Sequence, residues 1–327
     1  MMHTDDSSDP TDNEVRQFGR TDAPASLPTP KSNLSGVKTV IAFASARGGS
    51  GKSVLAVNLA VAIAAKGRKV GILDADTDSP SVQAMLGMRR ARIFPTHGSI
   101  EAASGPLGLR VIAADMIVES VVAAPFFDSD EASADIRPIA LADEAAGNGV
   151  PHRTSAQDFP DLLGWIFQEC RFGNLDFLFI DLRSGIDSVR RIAQLRVPAA
   201  LVLVTAPSQL AADSTRRAID TARQLCLPVW GLVENMVGFY CEHCRSVRPL
   251  IGEGDVSGLS RETGAPILAR LPFEPRLADA ADRGILFTRE HAQVPMAGQL
   301  IELARRLEEI AAGAPTGPSA LASPAVV

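Results

Sequence analysis

Four stretches of the 327-residue chain carry residue types at spacings that could do chemistry. The first is ARGGSGKS, residues 46–53, a glycine-rich turn closing in Gly-Lys-Ser. Backbone N–H groups of Gly48, Gly49, Ser50, Gly51, Lys52 and Ser53, with Val54 next in line, can point at phosphate oxygens because the glycines let the chain approach them. Lys52 adds positive charge, and the Ser53 hydroxyl can ligate Mg²⁺. The second and third stretches are GILDADTDSPS and FLFIDLRSG, in which apolar runs end in Asp74 and Asp76 and in Asp181, with Gly185 four residues beyond the last. A carboxylate at the end of a strand can hold Mg²⁺ through its water shell, and a glycine after it frees the loop to sense a γ-phosphate. Each aspartate alone reads equally well as a turn residue. Together with the loop, in this chain order, they point to nucleotide phosphate chemistry. The fourth stretch is CEHC, in which Cys241 and Cys244 can chelate one edge of a tetrahedral site. A two-fold axis would supply the other edge. Four thiolates suit an iron-sulfur cluster and zinc equally, and a redox dithiol or an unligated pair also fits the spacing. His243, between the cysteines, reads as a solvated spacer.

The elements that must position these groups are legible in the apolar runs VKTVIAFAS (37–45), KVGILDAD (69–76), LRVIAA (109–114), LDFLFIDL (175–182), AALVLVTAP (199–207), PVWGLVEN (228–235) and APILARLP (265–272). Such near-continuous runs suit strands covered on both faces. The expected fold is one α/β domain over residues 37–312, a doubly wound, mostly parallel sheet flanked by helices. VLAVNLAVAIAAKG after the phosphate loop reads as a helix. Leu300, Leu303, Ala304, Leu307 and Ile310 recur at helical spacing near the end, opposite a mixed face of Glu302, Arg305, Arg306, Glu308 and Glu309 that does not suit a membrane surface. Residues 115–160 are polar and aperiodic and read as an insertion or mobile loop, and residues 1–36 and 313–327 as disordered tails. Cys170 and Cys226 sit among apolar residues and read as core fillers.

Composition narrows the partners. Hydrophobic residues make up 46% of the chain, enough for a substantial core, while a net charge of -6 gives no broad basic field, so nucleic acid is not expected. The chain has no basic-then-apolar start and no run of about 18 apolar residues, so no membrane partner is expected and the cytoplasm is the expected location. Four cysteines do not make a disulfide framework in a chain this long.

ARGGSGKS resembles the deviant Walker A loop, xKGGxxGK[ST], of the MinD, ParA, ArsA and Mrp ATPases, with Arg47 at the signature lysine. IAFASARGGSGKSVLAVNLA, ILDAD with the following PS, FLFIDL, VENMVGFYCEHC and APILARLPFEP are similar to the Mrp branch, also called ApbC, of iron-sulfur cluster carrier ATPases, over roughly residues 37–310. The resemblance implies a P-loop ATPase that forms a homodimer with ATP between subunits. In it Arg47 would reach the partner's nucleotide, Asp76 would orient the attacking water, and Asp74 would support a Mg²⁺ held by Ser53 and Asp181. Asn235 and the backbone near Pro272 would lie against the adenine. Cys241 and Cys244 would meet their mates across the dimer around a [4Fe-4S] cluster destined for apo-proteins, and this favours cluster over zinc. The rival is a MinD/ParA-like positioning ATPase whose cysteine pair is a zinc staple or unused. The chain also departs from the Mrp pattern. It has DADTDSPS for Asp-Ala-Asp-Ile-Tyr-Gly-Pro-Ser and DLRSGID for Asp-Leu-Pro-Pro-Gly-Thr-Gly-Asp, and it lacks a Trp-Arg-Gly-Pro stretch.

Overall fold

The computed structural model describes residues 33–93, 95–96, 99–113, 115–116, 162–241, 243–244, 246–250, 252 and 254–313. The insertion expected at 115–160, apart from its first two residues, and nearly all of both expected tails lie outside the described residues. At the N-terminal boundary, residues 33–36 are a turn rather than tail: Leu34 is buried in the core and its carbonyl accepts from Val37 N at 2.9 Å.

All seven apolar runs are strands of one sheet. In chain order its members are β1 (Val37–Ala44), β2 (Val70–Ala75), β3 (Ala103–Ser104), β4 (Arg110–Ala113), β5 (Leu175–Leu182), β6 (Ala199–Thr205), β7 (Val229–Cys241), β8 (Ser246–Arg248) and β9 (Ile267–Phe273). They lie in the order β8-β7-β6-β1-β5-β2-β4-β3, with β9 paired to β7. The pairings β5–β1, β1–β6, β6–β7, β7–β9, β5–β2 and β2–β4 are parallel, and only the short β3 and β8 run antiparallel to their neighbours. Every residue of β2 and β6 is buried, as a strand covered on both faces requires.

Two helix groups provide that cover. On one side α1 (Lys52–Ala64) packs against β1, β2 and β5 and against the final helix α9 (Pro295–Gly313), near α2 (Val82–Met85), α7 (Pro275–Arg283) and α8 (Phe287–Glu290). On the other, α4 (Ile186–Gln194), α5 (Gln209–Gln224) and α6 (Val256–Thr263) pack in series. The helix α3 (Leu162–Glu169) leads into a small separate sheet formed by Pro95–Thr96, Ser99–Glu101 and Cys170–Arg171. Leu55, Leu59 and Ile63 of α1 are spaced by four and fully buried, each worth roughly 1.5–3 kcal/mol over exposure. Leu300, Leu303, Ala304 and Leu307 form the buried stripe of α9, and Ile310 is half-buried at its end. The chain leaves β1 in one direction across the sheet for β2 and leaves β5 in the other for β6, so the loops after β1, β2 and β5 open at a switch point along the carboxyl edge.

Two expectations change. The strand read as ending at Asn235 continues to Cys241 through an irregularity between Asn235 and Phe239, where Met236 adopts φ 63°. Cys226 is exposed, not core. It holds the left-handed position (φ 55°) just beyond α5, where Cys226 N donates to Arg223 O at 3.0 Å and Leu227 N to Ala222 O at 2.8 Å. This Schellman closure buries Leu227 and turns the thiol outward. Cys170 is fully buried as expected, and burial pushes its thiol up to about 12.

Candidate functional site at the carboxyl edge of the sheet

The loop between β1 and α1 is built as an anion cradle. Gly49 and Gly51 both take φ 80°, a region that favours glycine. A Cβ on Gly48 or Gly49 would meet nothing within 4 Å, whereas one on Gly51 would lie 2.4 Å from Asn235 Nδ2. The first turn of α1 has neither a side-chain cap nor an acidic residue, which leaves its N–H groups and dipole for an anion. Gly48 through Val54 line one wall of a cleft of about 600 Å³, and Asp76, Asp78, Ser79, Arg183 and Ser184 line the other.

Within the cleft, Lys52 is buried and pairs with the buried carboxylate of Asp181, and its Nζ lies 3.2 Å from Ser53 Oγ. Burial pushes the Asp181 carboxyl above the usual carboxylate range, and the Lys52 ammonium opposes that shift. Asp181 uses only Oδ1 in the pair. Its Oδ2 is buried without a hydrogen-bond partner, as is Ser50 Oγ, and two of the three such side-chain atoms among the described residues therefore fall at this site. An orphaned carboxylate oxygen beside a hydroxyl and a phosphate cradle is a donor set that fits Mg²⁺.

Asp74 and Asp181 are register partners on β2 and β5. Asp74 is fully buried, with Oδ1 accepting from Asp76 N (3.0 Å) and Oδ2 from Ser81 N (2.7 Å) and Val82 N (2.9 Å). Burial, then the nearby Asp181 charge, raises it to about 7 against those three bonds. Asp74 thus shapes the loop of residues 76–82. Asp76, half-buried on the cleft wall, accepts from Ser79 N at 3.2 Å. The loop after β5 is rooted on the phosphate loop, with Gly185 N donating to Ser45 O at 2.8 Å and the Ser45 and Ser184 hydroxyls 3.1 Å apart. Sequence reasoning missed the ion pair that joins these two loops, Arg183 Nη2 to Asp78 Oδ2 at 2.6 Å. Its partners are more than one hundred residues apart, and only the polarity of DTDS and LRSG hints at it.

The remaining site residues flank the cradle. Arg47 is exposed, has no ion pair among the described residues, and borders a second cavity of about 170 Å³ with Ser50, Thr205, Ser208 and Thr215. On the opposite side Asn235 Nδ2 donates to Ser50 O at 2.8 Å. Asn235 and Pro272 both line a slot of about 60 Å³ with Gly51, Val54 and Glu274.

The family profile described as ParA, NUBPL iron-transfer P-loop NTPase, matches residues 36–129 and 157–308. The chain belongs to this family. It is 31% identical to the iron-sulfur cluster carrier protein of Saccharolobus solfataricus over 85% of each chain. It is 28% identical to the cytosolic Fe-S cluster assembly factor NUBP2 of Gallus gallus, over 87% of this chain and 96% of that one. With the iron-sulfur cluster carrier protein of Escherichia coli the identity is 31% over 77% of this chain, which spans 61% of that protein. Among solved structures, a nucleotide-binding protein from Archaeoglobus fulgidus in complex with ADP superposes with a TM-score of 0.59 at 26% identity, covering 78% of this chain and 89% of that one. The cell division ATPase MinD of Pyrococcus furiosus shares the fold, with a TM-score of 0.53 at 17% identity over 83% and 99%.

The cysteine pair is carried on a hairpin. The far end of β7 pairs antiparallel with β8, Phe239 opposite Arg248 and Cys241 opposite Ser246, with His243 and Cys244 in the turn. Cys244 and His243 are exposed, and Cys244 Sγ lies 3.0 Å from Ser246 Oγ. Among the described residues, no group of three or more His, Cys, Asp or Glu is placed to hold a metal ion. No helix among them is long and apolar enough to cross a membrane.

Proposed function

We propose that this chain is a cytoplasmic, ATP-binding and slowly ATP-hydrolysing homodimer that holds a [4Fe-4S] cluster between its subunits and passes it to apo-proteins. The observation that carries the proposal is the pairing, in one member of the iron-transfer family, of a phosphate cradle with unfilled donors and a hairpin that carries Cys241 and Cys244. Two thiols are half of a cluster's ligand set, and a second copy supplies the other half by symmetry.

In this reading the N–H groups from Gly48 to Val54 take the phosphates, and Lys52 turns part of its charge from Asp181 to them. Ser53 and Asp181 hold Mg²⁺, while Asp74 keeps the loop of residues 76–82 in shape. Magnesium, when bound, supplies positive charge that offsets the phosphate oxygens. Asp76 aligns the attacking water from the cleft wall, and Arg47, exposed at the loop's tip, reaches the partner's nucleotide. Asn235 and the backbone near Pro272 form one edge of the adenine site. Nucleotide acts on the cargo by favouring one dimer geometry over another.

Anaerobic reconstitution with iron and sulfide tests the reading, with metal and sulfide analysis of size-separated protein. The expected result is four irons and four sulfides per dimer, lost when Cys241 and Cys244 are both replaced by alanine. Zinc without sulfide, or uptake unaffected by the double replacement, would overturn the cluster assignment. A protein that stays monomeric with ATP would overturn the shared site.

A further inference from the structure

The ion pair between Arg183 and Asp78 joins two loops on the same wall of the phosphate cleft. Both residues lie in the segments where the chain departs from the Mrp pattern, DADTDSPS and DLRSGID. Arg183 stands directly after β5 and two residues before Gly185, whose N–H is fixed to Ser45 O. Its base is therefore anchored beside the phosphate loop while its guanidinium is held only by Asp78 among the described residues. The side chains are 61% and 35% exposed, so the pair is a surface one, worth on the order of 0–1 kcal/mol. A phosphate oxygen pair offers the planar guanidinium a doubly charged, bidentate partner that outcompetes a single half-exposed carboxylate. Asp78, once released, is exposed enough to hydrate. By contrast, Lys52 and Asp181 are both buried, and separating them completely would strand a charge.

We propose that Arg183 is a phosphate-sensing cation acting within its own subunit, parked on Asp78 in the nucleotide-free protein and exchanged onto the terminal phosphate of a bound nucleoside triphosphate. The exchange breaks the tie between the two loops, so the triphosphate and diphosphate states differ in loop coupling as well as in charge. The proposal rests on the nucleotide reading above, and it adds a cation that distinguishes a third phosphate from a second.

A structural tie and a parked cation give opposite signatures on the two partners. If the pair only braces the loops, Arg183→Ala and Asp78→Asn remove the same brace and shift nucleotide affinity in the same direction. If Arg183 is parked, losing it costs triphosphate affinity, whereas losing its parking partner frees it. The experiment measures the affinities of the full chain for β,γ-imido-ATP and for ADP, each with Mg²⁺, by titration calorimetry. Circular dichroism melting of each variant checks the fold. The expected ratio of triphosphate to diphosphate affinity falls about tenfold in Arg183→Ala, which is about 1.4 kcal/mol, and rises up to about fivefold in Asp78→Asn, the most that releasing a surface pair yields. Arg183→Lys is expected to recover part of the loss. Movement of the ratio in the same direction in both variants, or a wild-type ratio in Arg183→Ala, overturns the exchange while leaving the nucleotide reading intact. A wild-type protein that binds neither nucleotide overturns both.

Discussion

The phosphate cleft meets β7 at mid-strand, through Asn235, while the cysteine hairpin lies at that strand's carboxyl end, and the two solve opposite problems. Around the cleft, buried groups are partnered inside the chain: Lys52 by Asp181, Asp74 by three backbone N–H groups, Asn235 by the Ser50 carbonyl. What is left over, Asp181 Oδ2 and Ser50 Oγ, matches a small ligand. At the hairpin His243 and Cys244 are exposed, and no group of three or more His, Cys, Asp or Glu among the described residues is placed to hold a metal ion. In the proposed reading, a site that one chain nearly completes is legible in that chain, whereas a site that needs a second copy is not.

The contrast can be broken outright by replacing both Cys241 and Cys244 with alanine. Iron uptake on anaerobic reconstitution should vanish while calorimetric nucleotide affinity stays within about twofold, and joint loss of the two would mean that the sites are not separable. From the other end, Lys52→Ala removes the cradle's charge and leaves Asp181 buried and unpaired. Nucleotide affinity should fall at least a hundredfold, about 3 kcal/mol, and the urea midpoint should drop as well. Asp74 sharpens the contrast through pH. An acid raised to about 7 in the fold holds its proton longer when folded, so its contribution is full below about pH 4 and is lost as pH rises toward 7. In metal-free protein, the decline in urea-unfolding stability between those values should be shallower in Asp74→Asn, by an amount on the order of 4 kcal/mol. Gly51→Ala combines a left-handed φ with a clash against Asn235 and should cost about 1–3 kcal/mol of stability by the same measurement. The smallest effect lies outside both sites: Cys226→Gly relieves a left-handed cysteine, and a gain of roughly 0.5–1 kcal/mol should leave iron uptake and nucleotide affinity unchanged.

The sequence was most readable where burial is two-sided. Runs such as LDFLFIDL and AALVLVT become fully covered parallel strands, and the loop chemistry follows them because parallel strands deliver their carboxyl ends to one edge. Legibility fails where the decisive fact is non-local or conformational. Gly238 and the polar CEHC hide the continuation of β7, because the irregularity at Met236 disrupts the alternation that marks a strand. QLCLPVW is apolar enough to suggest a core cysteine, yet the helix closure sets the side chain's direction. The three N–H donors that face Asp74 become visible only once residues 76–82 curl back. The Arg183–Asp78 pair needs two distant loops brought face to face.

The extension of β7 has a consequence for how the cleft and the hairpin can communicate. Asn235 touches the phosphate loop, and Cys241 follows six residues later on the same strand. At about 3.3 Å per residue that is at most roughly 20 Å. Ionic screening at physiological salt decays over about 8 Å, so added phosphate charge is largely screened at that range. In the proposed reading, a message from nucleotide to cargo then travels as displacement of the strand, and its strength should be nearly independent of salt.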